Sequence, residues 1–261
     1  MDGPSDSATL VHAETRFVPP GLRPELVLRS ALADRVLTPD TRLVVVSGPA
    51  GAGKSTLLAQ AYAACPDAIW LPIEAADDDP AVLWSALIDA TAGTVPGFGE
   101  LYRHRLDTAG SEAVDSIIPL FVNELAGTSR PIRFFLDDLH LVSGHRSIDS
   151  LHQLLQHLPP ENCLVIASRA AAPFPLGRLR LERALVELDQ DDLAMDAREA
   201  RATLEAAGIE ADDDHIAALV ARTEGWTAGL AWATLARWPT QRCGTSARVA
   251  RTMGRSSCSW G

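Results

Sequence analysis

Short apolar runs alternate with longer stretches of helical character through the middle of the chain. The runs have the length and the branched side chains of buried strands, and they lie near residues 43–47, 68–73, 132–137, 163–167 and 184–188. Helices are predicted between them, near residues 54–64, 80–92, 112–126 and 147–157. This alternation predicts an α/β fold of three α/β/α layers, with a parallel sheet whose ligand-binding loops lie at the carboxyl ends of the strands.

The strand pattern stops after residue 190. Residues 191–238 instead predict a small all-helical subdomain of three helices, because Gly208 suits a helix C-cap and the aspartates at 212–214 favour a helix start. At the other end, residues 1–16 are polar and acidic and predict a disordered leader. Prolines limit helix formation in the segment 17–40 that follows.

Residues 47–56, SGPAGAGKST, match the phosphate-binding pattern G-x-x-x-x-G-K-[ST]. The motif follows a predicted buried strand and opens a predicted helix, which is the context that it requires. Glycines allow backbone N–H groups to close around a β-phosphate, and the helix presents its positive end to the same anion. The residues assigned to phosphate binding are Gly48, Ala50, Gly51, Ala52, Gly53, Lys54, Ser55 and Thr56. Residues 17–190 are therefore predicted to form a P-loop NTPase domain.

Lys54 is the only lysine in the 261 residues, although arginine is common elsewhere. Its compact ammonium reaches the β- and γ-phosphates as a point charge, a role for which a planar guanidinium is poorly shaped. Ser55 is assigned to Mg²⁺ through its hydroxyl. The single lysine thus lies at the position where arginine would fit the phosphates poorly.

A second apolar strand ends in paired carboxylates, as a magnesium-dependent P-loop requires. The run PIRFFLDDLHLV, residues 131–142, places Asp137 and Asp138 at the strand's carboxyl end. Asp137 is predicted to bind Mg²⁺ directly or through water, and Asp138 to orient or deprotonate the attacking water. Together with the P-loop, the pair predicts nucleotide hydrolysis chemistry.

A third apolar strand, NCLVIASRA, ends in Ser168 and Arg169. An arginine at the carboxyl edge beside the two preceding strands can point at a γ-phosphate, so Arg169 is predicted to act in catalysis together with Lys54 and Asp138. The alternative is an ordinary surface arginine.

Adenine is the favoured base, because GTPases of this class recognise guanine with a motif that needs another lysine. ATP and ADP with Mg²⁺ are therefore the predicted ligands. The segment 173–184 brings three arginines close together. This clustering suits either the phosphate-gripping lid of a small-molecule kinase or a basic surface connector. Trp70, Trp84 and Trp226 lie on apolar segments and are predicted as core residues.

The formal net charge of −11 argues against non-specific attraction to nucleic acid or anionic lipid. Four cysteines without CxxC spacing indicate neither a zinc site nor a disulfide framework. The amino terminus lacks the basic and apolar regions of a signal peptide, and no apolar run reaches 18 residues. We expect a cytoplasmic protein without a membrane partner.

Seven blocks of sequence between residue 17 and about residue 236 resemble the large ATP-binding LuxR-type transcriptional regulators, the MalT-like members of the STAND class of signal-transduction ATPases. The blocks are FVPPGLRPELVLRSALADRV, SGPAGAGKST, WLPIEAADDDPAVLWSALIDA, FFLDDLHLV, LVIASRAAAPFPLGRLR, VELDQDDLAMDAREA and RTEGWTAGLAWA. They follow the order and the approximate spacing found in that family.

The resemblance implies roles for particular residues. The segment before the P-loop packs on adenine in that family, and Arg29 matches a basic position there. Asp137 and Asp138 match the Walker B pair, and Arg169 matches the sensor arginine. The block TEGWTAGL belongs to the helical lid subdomain that closes over the nucleotide, although Thr227 stands where family members often have proline.

The resemblance also implies a slow ATPase that works as a switch. ADP holds the off state of such a protein, and ATP with an inducer permits self-association. Family members continue into a sensor and a DNA-binding domain, so we expect this chain to be the N-terminal NTPase portion only, without direct DNA binding. The alternative is a turnover enzyme, either a standalone P-loop ATPase or a small-molecule kinase.

The last residues differ in composition from the rest. From residue 237 onward the chain has five arginines, no acidic residue and neither leucine nor isoleucine. We expect an irregular basic tail over residues 239–261, from a truncated or frameshifted gene product. A basic nucleic-acid-binding arm is the alternative.

Overall fold

A computed structural model of the protein describes residues 12–23, 26–128 and 130–235. Its centre is a parallel five-stranded sheet in the order β2-β3-β4-β1-β5. The strands are β1 (Leu43–Ser47), β2 (Ala68–Pro72), β3 (Arg133–Asp137), β4 (Cys163–Ser168) and β5 (Leu185–Leu188). Each coincides within one residue or two with a predicted apolar run. The predicted basic tail over residues 239–261 lies outside the described residues.

The order of the strands brings the three candidate motifs to one edge of the sheet. β4 lies between β1 and β3, and Ser47 at the end of β1 pairs with Ser168 at the end of β4. In β3, Asp137 pairs with Pro72 at the end of β2. The P-loop, the paired carboxylates and Arg169 therefore follow neighbouring strands.

Helices join the strands and cover both faces of the sheet. They are α1 (Ser30–Val36), α2 (Lys54–Ala63), α3 (Pro80–Ala92), α4 (Glu100–Ala109), α5 (Val114–Ala126), α6 (His145–His157), α7 (Gly177–Leu181), α8 (Gln190–Leu193), α9 (Ala197–Ala206), α10 (Asp213–Thr223) and α11 (Thr227–Leu235). Among the described residues, short 3-10 turns occur at Glu14–Phe17, Ala75–Asp78, Gly110–Ala113 and Leu139–Leu141. No helix within the described ranges is long and apolar enough to cross a membrane.

Alternate side chains of each strand belong to two separate hydrophobic clusters. In β1, Leu43 and Val45 join the cluster formed with α3, α5 and α6, whereas Val44 and Val46 join the cluster formed with α1, α2 and α8. A strand that is buried on both faces needs apolar residues at every position, which explains its continuous apolar run. The predicted three-layer α/β/α fold of a P-loop NTPase is confirmed.

A third cluster joins α9, α10 and α11, with Ala200, Leu204, Ile216 and Leu230 at its centre. We call residues 191–235 the lid, the described part of the helical subdomain predicted over 191–238. The boundaries assigned to the domains stay predictions.

Two of the differences from the sequence-based expectation concern α4 and the amino-terminal segment. α4 was not predicted, because only Tyr102 and Leu106 on it are buried and the rest of its sequence is largely polar. Residues 12–16 were expected to be disordered, yet Arg16 forms an ion pair with the fully buried Asp77 next to β2. The first eleven residues of that leader lie outside the described residues.

Candidate nucleotide-binding site

The P-loop, residues 48–55, turns sharply between β1 and α2. Gly51 and Gly53 have φ angles of 75° and 86°, in the left-handed region that a residue with a side chain rarely adopts. α2 begins at Lys54, directly after the second of these glycines. Thr56 lies half-buried in the first turn of α2. The loop thus presents backbone N–H groups and the positive end of a ten-residue helix at the same point.

Lys54 lies across this loop. Its side chain is buried, and its Nζ donates to the carbonyl oxygens of Gly48 and Pro49 at 2.8 and 2.9 Å. Burial lowers the pKa of Lys54, the nearby Asp138 carboxylate opposes that shift, and Arg169 adds to it. The structure therefore brings Lys54, Asp138 and Arg169 within electrostatic reach of one another.

Asp137 is the buried carboxylate of the site. It is 6% exposed, and its carboxylate accepts a hydrogen bond from the Asp138 backbone N–H at 3.0 Å. Burial raises the pKa of Asp137, and the nearby Ser55 hydroxyl acts against that shift. A hydroxyl and a carboxylate that lie near each other are hard oxygen ligands of the kind that Mg²⁺ takes, so the donor set fits this ion.

Few side chains at this site could bind a metal ion, and magnesium needs few. Over the described ranges, no group of three or more His, Cys, Asp and Glu side chains could hold a metal ion. Mg²⁺ is usually held by one or two carboxylates together with water and substrate phosphates, not by a complete protein cage. A magnesium ion held here would take water and nucleotide phosphates as its remaining ligands.

Asp138 adopts a left-handed conformation, with φ 60° and ψ 36°, where the chain leaves β3. Aspartate tolerates this conformation better than most residues. Its carboxylate is 42% exposed and lies 3.6 Å from Nδ1 of His140. The turn thus separates the roles of the pair: Asp137 is buried, and Asp138 is accessible at the sheet edge.

Arg169 is exposed at the end of β4. The preceding residue, Ser168, accepts a hydrogen bond from the N–H of Ala170 at 3.1 Å, which fixes the backbone on both sides of the arginine. Within the described part of the chain, the guanidinium of Arg169 has no hydrogen-bond or ion-pair partner. It is thus available to a ligand at this edge.

Arg29 binds the lid in this structure. Its guanidinium donates to both carboxylate oxygens of Glu199 and to the carbonyl oxygens of Leu193 and Ala194. Its backbone N–H donates to Gln60 on α2. Most of the donors of Arg29 thus bind the lid, and its assignment to the nucleotide stays a prediction.

Sequence reasoning missed a direct contact between the lid and the P-loop. Trp226 Nε1 donates to the Ala50 carbonyl at 3.0 Å, and the Ala228 backbone N–H donates to the Gly51 carbonyl at 3.0 Å. The Thr227 hydroxyl donates to the carbonyl of Ala52 at 3.3 Å. Trp226 is 46% exposed, so its prediction as a core residue is wrong.

Comparison with known proteins agrees with this geometry. The family model described as AAA ATPase domain matches residues 19–166. The serine/threonine-protein kinase PknK of Mycobacterium tuberculosis H37Rv is 31% identical over 227 residues, which are 85% of this chain and 20% of that protein. The transcriptional regulator MalT of Serratia proteamaculans is 28% identical over 219 residues, covering 80% of this chain and 24% of MalT.

Among solved structures, a STAND protein with a tetratricopeptide repeat sensor from Pyrococcus horikoshii matches with a TM-score of 0.57 and 16% identity. The match covers 84% of this chain and 31% of that protein and supports the same fold. This chain spans a fifth to a quarter of the length of the curated relatives that it matches. The predicted resemblance to MalT-like STAND ATPases is confirmed.

Proposed function

Because this chain belongs to the AAA ATPase domain family, we propose that it binds ATP and ADP with Mg²⁺ and acts as a slow nucleotide switch. The observation that carries the proposal is the buried Asp137 carboxylate, which lies close enough to the Ser55 hydroxyl and the Lys54 ammonium for both to influence its pKa. A buried carboxylate with a raised pKa lowers the stability of the ligand-free protein, so such groups are concentrated at functional sites. Binding of a divalent cation at this site would explain why the carboxylate is buried there.

Each residue then has a stated task. The P-loop N–H groups and Lys54 hold the β- and γ-phosphates, while Ser55 and Asp137 hold Mg²⁺. Bound magnesium would neutralise charge on the phosphate oxygens. Asp138, which is accessible, orients the attacking water, and Arg169 stabilises negative charge that develops at the γ-phosphate.

The similarity to a serine/threonine-protein kinase does not make this chain a kinase. Protein kinases use H-R-D and D-F-G sequences, and neither occurs in the 261 residues. The arginines of the segment 173–184 also fit a surface connector better than a phosphate lid, because Arg178 pairs with Glu182 and Arg180 with Glu187. A regulatory switch is therefore favoured over a small-molecule kinase.

The proposed role is that of a module within a larger, MalT-like cytoplasmic regulator. ATP-dependent self-association is the proposed output, and DNA contact is left to parts of the regulator outside this module. The similarity to MalT over most of this chain supports that assignment. The lid, which contacts the P-loop, is suited to relay the nucleotide state to neighbouring parts.

Calorimetric titration with ATP, ADP and GDP in Mg²⁺ tests the proposal, with Lys54→Ala as the matched variant. We expect adenine nucleotides to bind, GDP to bind more weakly, and Lys54→Ala to abolish binding while its thermal unfolding stays cooperative. Steady turnover near 1 s⁻¹ or faster would favour the standalone enzyme over the switch. Absence of nucleotide binding by the cooperatively folded chain would refute both.

A further inference from the structure

Three consecutive residues of the lid bind three consecutive carbonyl oxygens of the P-loop, as described above. Each of these carbonyls belongs to a peptide unit that also carries the N–H of the next residue, and one of these, the N–H of Ala52, donates to the Pro49 carbonyl at 3.3 Å. The carbonyl of Ala50 shares its peptide unit with the N–H of Gly51, and the carbonyl of Ala52 shares its unit with the N–H of Gly53. The described chain contains no cis peptide bond.

A trans peptide is planar, with its C=O and N–H bonds pointing in opposite directions. A donor that fixes the carbonyl on the outer side of the loop therefore fixes the direction of the N–H on the inner side. Hydrogen bonding to the carbonyl also polarises the peptide and makes its N–H a stronger donor. The N–H groups of Gly51 and Gly53 are oriented from behind in this way, by Trp226 and Thr227 respectively.

The approach of the lid depends on the P-loop glycines. A Cβ atom added at Gly51 would lie 2.6 Å from the Cβ of Ala228, and one added at Gly53 would lie 3.2 Å from Oγ1 of Thr227. Because Gly51 and Gly53 have no side chain, they leave space on the inner face of the loop for an anion and on its outer face for the lid.

The turn that carries Trp226 is itself held firmly. Gly225 has a φ of 71°, and a Cβ atom there would lie 2.7 Å from the Met195 carbonyl oxygen. The Gly225 carbonyl in turn accepts a hydrogen bond from the N–H of Met195 at 2.8 Å. This backbone contact fixes the start of α11 against the beginning of the lid.

We propose that Trp226 and Thr227 are positioning residues of the phosphate site: they orient P-loop N–H groups toward a nucleoside di- or triphosphate without touching it. The inference rests on the proposed function, since it concerns the same nucleotide site. Thermodynamic linkage makes the coupling reciprocal, so phosphate bound on the inner face strengthens lid docking on the outer face. The lid thereby senses occupancy of the P-loop through the backbone.

Titration of the full chain with Mg²⁺ and ADP tests the inference. Trp226→Phe keeps an aromatic ring but removes the donor, and Trp232→Phe is the matched control, because Trp232 lies on α11, the helix that directly follows Trp226, and is 73% exposed. We expect Trp226→Phe to weaken ADP binding about threefold, the size of one modest neutral hydrogen bond, and Trp232→Phe to leave binding unchanged.

A second pair of variants separates positioning from mere packing. Thr227→Val removes the hydroxyl at nearly constant volume and is expected to weaken ADP binding about threefold, whereas Thr227→Ser keeps the hydroxyl and restores the affinity. If Trp226→Phe and Thr227→Val bind ADP as tightly as the unchanged chain, the inference is overturned and the proposed function stands. If the unchanged chain binds no nucleotide, both are overturned.

Hydrogen exchange provides a readout of the reciprocal effect. The amide of Ala228 donates to the P-loop, so saturating ADP is expected to slow its exchange in the unchanged chain and in Trp232→Phe, and to slow it less in Trp226→Phe. If saturating ADP does not slow the exchange of the Ala228 amide in the unchanged chain, the coupling is contradicted.

Discussion

Arg29 and Glu199, which are 170 residues apart in the chain, form a bidentate ion pair. Nε and Nη2 of the guanidinium donate to the two carboxylate oxygens at 2.8 and 3.1 Å, and the arginine side chain is only 8% exposed. The pair joins the segment before β1 to α9. The lid is therefore held both here and at the P-loop.

Removal of the carboxylate should loosen this fastening. Glu199→Ala leaves a nearly buried guanidinium without its counter-ion and also removes the acceptor that caps the Asp196 N–H. We expect the free energy of unfolding to fall by about 2 kcal/mol, below the cost of breaking a fully buried pair because Glu199 is partly exposed. Urea unfolding measures the change. Arg178→Ala breaks an exposed surface pair with Glu182 and should leave the transition where it is; an equal shift in both variants would contradict the prediction.

A side chain at Gly51 should disturb the loop and the lid together. Gly51→Ala forces a residue with a Cβ atom into a left-handed conformation and drives that atom against Ala228. The combined cost is expected to reach about 2 kcal/mol, with weaker ADP binding. Thermal unfolding and calorimetry measure the two effects. Gly21→Ala is the control, because nothing lies within 4 Å of an added Cβ there; a silent Gly51→Ala would mean that the lid does not dock as described.

The sheet and the P-loop could be predicted from the sequence because their signals are local. A strand buried on both faces leaves a continuous apolar run such as Leu43–Ser47, and the spacing between Gly48 and Lys54 is a property of neighbouring residues. Asp137 required one further step, the rule that parallel strands end at the same edge of the sheet.

The lid contacts could not be predicted in this way. Trp226 and Ala50 are 176 residues apart, and nothing in the local pattern distinguishes a tryptophan that packs in a core from one that caps a distant loop. Arg29 presents the same difficulty, since its partner lies on α9 and its own neighbours are not charged. Tertiary contacts of this kind are fixed by packing geometry, which periodicity does not encode.

Asp137 should destabilise the nucleotide-free protein at neutral pH. Burial raises its pKa from the ordinary 3.8, so the folded chain holds this proton more tightly than the unfolded chain. The corresponding stability is present at acid pH and is lost as the pH rises through the raised pKa. Asp137→Asn removes the penalty and is expected to stabilise the nucleotide-free chain by about 1 kcal/mol at pH 7, while the effect of Mg²⁺ on nucleotide affinity disappears. Urea unfolding between pH 4 and pH 7 measures how much more stable Asp137→Asn is than the unchanged chain. If this difference does not increase with pH, Asp137 is not a buried, ionised carboxylate.

Arg169 should separate hydrolysis from binding and from stability. Its guanidinium is exposed, and within the described ranges it has no partner whose loss would affect folding. Arg169→Ala is therefore expected to leave the unfolding transition unchanged and ADP affinity within about threefold. ATP hydrolysis should fall at least about tenfold, because a cation that meets charge developing at the γ-phosphate acts mainly in the transition state. Single-turnover hydrolysis measures this loss, and Arg178→Ala, another exposed arginine, is the control. Equal hydrolysis by both variants would mean that Arg169 is an ordinary surface arginine without a catalytic role. Equal loss of ADP and ATP binding would mean that Arg169 binds phosphate in the ground state.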